Sequence, residues 1–185
     1  MLQHVVFAYG FNLNVAKRLV GDLTAEQMCQ QPHGVVNHPA WSLGHLASAS
    51  VGLLKALGHD ASLPEGWGEA FKTGGIPSSD PSGFPSKDEL LSTLESLHDR
   101  VTTAVKASDS ATLATPHPHE GTRKHFPTIG DMVVFLMTSR SSCSRYDSGR
   151  APRTEFEAQC SGRLEGARLS RLPKRPGELL KPRAW

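Results

Sequence analysis

Cysteine is scarce in this chain, with three in 185 residues: Cys29, Cys143 and Cys160. So low a count in so long a chain excludes a disulfide-stapled miniprotein. Long apolar runs are missing too. The longest, residues 5–9 and 132–137, fall far short of the ~20 residues that a membrane-spanning helix needs. No basic segment precedes an apolar stretch near the N-terminus, so no secretory signal is read there. These absences set the expectation of a soluble cytoplasmic protein with reduced thiols and no membrane partner. There is also no Gly-rich phosphate loop, nucleophile elbow, C-x-x-C pair or internal repeat.

What is present suffices for one folded domain. Hydrophobic residues make up 38% of the chain and charged residues 21%, a lean but adequate supply for a core. The net charge of +2 hides a division. Residues 1–139 carry nine Lys and Arg against thirteen Asp and Glu, whereas residues 140–185 carry eleven against five. Nine of the twelve arginines lie in that last stretch, and none of the nine histidines do. A single folding unit rarely changes composition so abruptly. The chain therefore divides into a domain over residues 1–139 and a basic Arg/Ser/Gly/Pro-rich tail over 140–185, read as disordered or out of frame. The tail's arginines would suit a nucleic-acid-binding arm, but glutamates interrupt them and three aromatics are too few for a stacking surface, so nucleic acid is not the expected partner.

The first 139 residues read as helices. Leu2, Val5, Tyr9, Leu13, Ala16 and Val20 share one face of a helix over residues 2–21. Thr24 and Gln27 form a capping box that opens a short turn. Pro39 suits the first turn of a second helix over 40–57, with Leu43, Leu46, Ser50, Leu53 and Leu57 as its core stripe and Gly58 as its left-handed stop. Residues 59–85, rich in Gly and Pro, form a long connection with one turn near 67–71. Either this connection packs through Trp67, Phe71 and Phe84, or it covers a site. Ser86 caps a third long helix over 87–106, striped by Leu90, Leu94, Leu97, Val101 and Val105. Residues 108–127 are another polar connection. Thr128 and Asp131 then cap a fourth helix, whose run over 132–137 is apolar on all sides, as in a central bundle helix. After residue 139 no helical periodicity continues. Three long helices and the start of a fourth predict an all-α four-helix bundle, with long connections that allow parallel neighbours.

Histidine is the chemistry-bearing residue in greatest supply. His45 lies beside the stripe of the second helix. A lone histidine there is ordinarily a structural residue held by a hydrogen bond, and one imidazole does not make a metal site. His117-Pro118-His119, with His125 nearby, has an H-x-H spacing that can bind metal. Its Pro-rich surroundings favour solvated loop histidines instead. His33 and His38 flank a turn at Gly34 and read as structural. His4, His59 and His98 have no partner that the sequence identifies.

Three blocks carry a family resemblance. They are Gly34-Val35-Val36-Asn37-His38-Pro39-Ala40-Trp41-Ser42-Leu43-Gly44-His45-Leu46-Ala47, then Pro77-Ser78-Ser79-Asp80-Pro81 with Phe84-Pro85-Ser86-Lys87, and finally Phe126-Pro127-Thr128-Ile129-Gly130-Asp131 with Phe135-Leu136-Met137-Thr138-Ser139. Together they resemble the DinB-like superfamily, which includes YfiT-type proteins and mycothiol- and bacillithiol-dependent enzymes. The resemblance covers residues 1–139. It implies a four-helix bundle with a crossover connection and a divalent metal, zinc, nickel or similar. The ligands it implies are one histidine from the second helix and an H-x-x-x-H pair from the fourth. It further implies a small-molecule substrate and, for the thiol-dependent members, a low-molecular-weight thiol.

His45 matches the second-helix ligand. The fourth-helix pair does not match, because Arg140 and Ser144 stand at those positions. A guanidinium is a fixed cation and cannot replace a neutral imidazole. The composition break and the loss of resemblance fall together. A frameshift, fusion or cloning join near codon 139 accounts for both, and a divergent tail in place of the helix is the alternative. The expected function is that of a DinB-like metalloenzyme, a thiol-dependent S-transferase or hydrolase, with an incomplete metal site and little activity. The other reading is a non-catalytic small-molecule-binding or scaffold bundle. A fourth helix aberrant after Ser139 would leave the Leu43, Leu53, Leu94 and Val101 faces partly uncovered, with self-association or a homodimer as the outcome.

Overall fold

Each capping signal starts a helix. The computed structural model describes residues 2–32 and 35–138, all within the first of the chain's two units, Met1–Ala151. Helix α1 runs over Leu2–Val20 and α2 over Ala25–Met28. The Thr24 hydroxyl accepts from Gln27 N at 3.3 Å, and the Gln27 amide oxygen accepts from Thr24 N at 2.8 Å, which closes the box. Helix α3 is Pro39–Ala56, with Pro39 in its first turn as expected. Its cap is a histidine: His38 Nδ1 accepts from Trp41 N at 3.1 Å. Gly58 follows at φ 83°, the left-handed stop that only glycine adopts freely.

The long connection contains α4, Trp67–Ala70, and a single 3-10 turn at Pro81–Gly83. It packs inward through Trp67 and Phe71, both buried. Helix α5 is Lys87–Ala107, capped by Ser86, whose hydroxyl accepts from Glu89 N at 3.2 Å. The next connection is more ordered than its composition implies. It holds α6, Ser110–Ala114, and α7, Glu120–Arg123. Asp109 caps α6 by accepting from Thr112 N at 2.8 Å. Thr128 and Asp131 cap α8, Ile129–Thr138, through Asp131 N to the Thr128 hydroxyl at 3.2 Å and Thr128 N to the Asp131 carboxylate at 2.9 Å.

The four long helices close a ring: α1 packs on α5, α5 on α3, α3 on α8 and α8 on α1, with α3 and α5 sharing the most extensive interface. This is an all-α bundle. Among the described residues the one β-type pairing is an isolated bridge between Pro116 and Thr128. No helix among them is long and apolar enough to cross a membrane.

The central helix is α3, not α8. Along α3 the buried positions include Trp41, Leu43, Gly44, Ala47, Ser50, Val51, Leu53 and Leu54, which is far more than one stripe. Small residues at 44, 47 and 50 let neighbours approach it from several sides. On α8 only Ile129, Met132, Val133 and Met137 are buried, and Val134 is 47% exposed. The expectation of uncovered core faces is also corrected. Leu43, Leu53, Leu94 and Val101 are all buried in one apolar cluster, because α3 and α5 cover each other and α8 adds Met132, Val133 and Met137. The tail over 140–185, the fourth helix beyond residue 138, and His33 with its turn at Gly34 lie outside the described residues.

Candidate metal-ligand site around His45

The site is built on a glycine inside α3. A Cβ at Gly44 would lie 2.4 Å from three ring carbons of Phe71. Only glycine admits that ring. The close approach brings the Phe71 backbone over the next residue, and its carbonyl oxygen stands 3.1 Å from His45 Nδ1. A carbonyl only accepts, so Nδ1 carries the proton, and in the neutral imidazole Nε2 keeps its lone pair. Metal-ligating histidines are commonly held in this way, by a carbonyl on the nitrogen that does not bind. Trp41, one turn earlier, stacks on the imidazole with centroids 4.7 Å apart and planes 8° from parallel. The half-buried His45 ring is therefore fixed on its face and at Nδ1.

Phe71 was missed by the sequence reading, which gave it only a packing role. The available signal was Gly44: an isolated glycine inside a helical pattern marks a close approach.

The other histidines separate by environment. His38 is fully buried and structural, with Nε2 donating to Ser78 O at 3.0 Å while Nδ1 caps α3. Burial lowers its pKa from the ordinary histidine value, more than its hydrogen bond to Ser78 raises it. His117 is 3% exposed, which corrects its reading as a solvated loop residue. The physical reason is the backbone pairing of 116 with 128 that pins its segment against α8. His4, His59, His119 and His125 are exposed. Cys29 is a buried free thiol whose pKa is raised by burial and then by the charge of Asp80, the reverse of what a nucleophile needs.

A second polar group lies between α1, α3 and α5. Ser50 donates to Leu46 O at 2.9 Å, so the Tyr9 hydroxyl, 3.2 Å away, donates to Ser50. Burial raises the Tyr9 pKa above the ordinary tyrosine value. His98 stacks on Tyr9 with centroids 4.2 Å apart. Both His98 ring nitrogens and the Thr102 hydroxyl are buried without a hydrogen-bond partner among the described residues. Asp99 Oδ1, 3.6 Å from His98 Nδ1, is too distant to serve.

A profile described as the DinB superfamily matches residues 9–138, most of the chain. This chain belongs to the DinB superfamily. Comparisons with curated proteins and with solved structures return no match. The match ends one residue before the compositional break, so the break bounds what is recognisably DinB. The superfamily is generally metal-associated. His45 is held by the Phe71 carbonyl at Nδ1 and by the Trp41 ring on its face. The described residues of this DinB chain do not complete a set, because no three His, Cys, Asp or Glu side chains gather among them in a metal-holding group. Arg140 and Ser144 lie outside the described residues.

Proposed function

We propose that this chain is the bundle of a DinB-type metalloenzyme, a thiol-dependent S-transferase or a hydrolase of small molecules, carrying an incomplete metal site and little activity of its own. The carrying observation is the state of His45. Its Nδ1 is spent on Phe71 O at 3.1 Å and its ring is stacked on Trp41, which leaves Nε2 as a preset ligand atom. A catalytic zinc site uses three protein ligands and keeps an open position for water or substrate. Here the sequence puts Arg140 and Ser144 where the other two imidazoles would be. A single imidazole holds zinc or nickel weakly, so no catalytic step is assigned to it. The cytoplasm is the location that goes with this reading, in keeping with a low cysteine count. Copies associate along α1 and α8, where Phe7, Phe11 and Val134 are exposed.

A second reading, a non-catalytic binding bundle, is favoured by the unspent hydrogen-bonding atoms of His98 and Thr102 beside Tyr9. A small molecule bound without metal, and bound equally by the His45→Ala variant, would favour it over the first.

Sequencing the source gene across codons 130–185 and translating all frames tests the first reading. The expected result is a second frame with two histidines four residues apart just after Ser139. If no frame contains that pair, the interrupted-enzyme reading fails and binding replaces catalysis.

A further inference from the structure

The H-x-H pair of the second connection is left unused by the His45 site, and it sits beside a methionine. His117 Nε2 is 3.2 Å from Met132 Sδ, and both residues are buried, at 3% and 9% exposure. We propose that His117, His119 and Met132 form a binding site for a soft monovalent metal ion, copper(I) or its analogue silver(I).

The donor chemistry selects the ion. A thioether is a poor hydrogen-bond acceptor, so a buried imidazole nitrogen facing one is badly served as a donor. The same sulfur is a good ligand for copper(I). Zinc takes thiolate, imidazole or carboxylate, and calcium and magnesium take oxygen; a neutral thioether suits none of them. Among the described residues no three His, Cys, Asp or Glu side chains gather around a metal position, so no carboxylate cluster there favours a divalent ion.

The protonation can be balanced without a co-reactant. His117 Nδ1 has two backbone neighbours, His119 N at 3.1 Å and His119 O at 3.4 Å. With the imidazole proton on Nδ1, the His119 carbonyl accepts it and Nε2 presents a lone pair to the gap shared with Met132 Sδ. Metal binding selects that tautomer, giving up the His119 N–H contact. No proton is lost from neutral imidazole and no electron is transferred.

The mount is rigid, although its sequence is rich in proline. His117 N donates to Pro127 O at 3.1 Å, Arg123 Nε donates to His117 O at 2.6 Å, and Ile129 N donates to Thr115 O at 3.0 Å. Met132 is anchored in α8 against α3, its methyl 3.8 Å from where a Gly52 Cβ would stand. His119 is exposed, and its ring centroid is 6.1 Å from that of His117. It is the solvent-facing third donor and the route by which an ion reaches the buried pair. The site shares no residue with the His45 site and does not depend on the function proposed there.

The test is a silver(I) titration of the full chain with Cys29→Ala, Cys143→Ser and Cys160→Ser, which removes competing thiols. It is followed by 13C NMR of the methionine methyls and 15N NMR of the imidazoles. One equivalent is expected to shift the Met132 methyl and His117 Nε2. Met132→Leu should lower affinity by more than the ~10–100-fold that loss of an outer-shell partner costs, with helicity unchanged. His119→Ala should weaken binding and His45→Ala should leave it intact. Should the cysteine-free chain not fold, the unmodified chain serves: after three equivalents saturate its thiols, the fourth must shift Met132. A Met132 methyl that does not move, or an affinity unchanged by Met132→Leu, would overturn the site.

Discussion

A single hydrogen atom in place of a methyl group decides the local geometry of the candidate site. Gly44 lets the Phe71 ring approach, and the Phe71 carbonyl then holds His45. Gly44→Ala should cost ~1–3 kcal/mol, the usual penalty of overpacking, seen as a lower urea midpoint. It should also shift the His45 Nδ1 resonance, which a purely local packing defect would leave alone. His45 was visible as a candidate because its motif is local. Phe71 was not, because its partner lies 26 residues away and only folding brings the two together. His117 was misread for the same reason: its burial comes from a long-range backbone pairing and not from its neighbours in the chain. His38 carries a pH prediction. Its folded pKa lies below the unfolded value, so the unfolded state binds the proton more readily and stability falls as pH drops below ~6.5. The loss continues down to the folded pKa and is absent above the unfolded one. His38→Asn keeps an N-cap acceptor without a titrating ring. Its melting temperature should fall less between pH 7 and 5 than that of the parent chain, and equal slopes would contradict the assignment.

Three helix starts were legible because a Ser or Thr side chain caps them. Thr24, Ser86 and Thr128 each sit at a helix start and make the bonds expected of them. Ser86→Ala should therefore cost ~1 kcal/mol by thermal or urea unfolding, whereas Ser96→Ala, at an exposed position within α5, should cost nothing. Equal effects would mean that the cap adds no stability. The short helices α6 and α7 were not legible as elements, because four or five residues carry no readable periodicity. Which helix is central was also misjudged. The apolar run of α8 reads as a helix buried on every side, yet Val134 faces out. The small residues of α3, whose polarity and size weaken any stripe, are what let its neighbours close in around it.

The bundle is mostly satisfied within residues 2–138. The core faces of α3 and α5 are covered, and the exposed apolar side chains concentrate elsewhere. Phe7 is 74% exposed and Phe11 53% exposed, one turn apart on α1, and α1 packs on α8 where Val134 is also exposed. Light scattering behind a sizing column should find the full chain associated in a concentration-dependent way. Phe7→Ser with Phe11→Ser should move it toward the monomer. A parent chain that is monomeric at every concentration would contradict association along this edge. The family match and the change in charge coincide at residue 139 to within one residue.

The most direct measurement is a zinc and nickel titration of the full chain, in competition with a chromophoric chelator, beside its His45→Ala variant. At equal concentrations the chelator is expected to keep the metal, and the weak binding at large excess should fall when His45 is removed. One tightly held equivalent per chain, or binding indifferent to His45→Ala, would contradict that expectation.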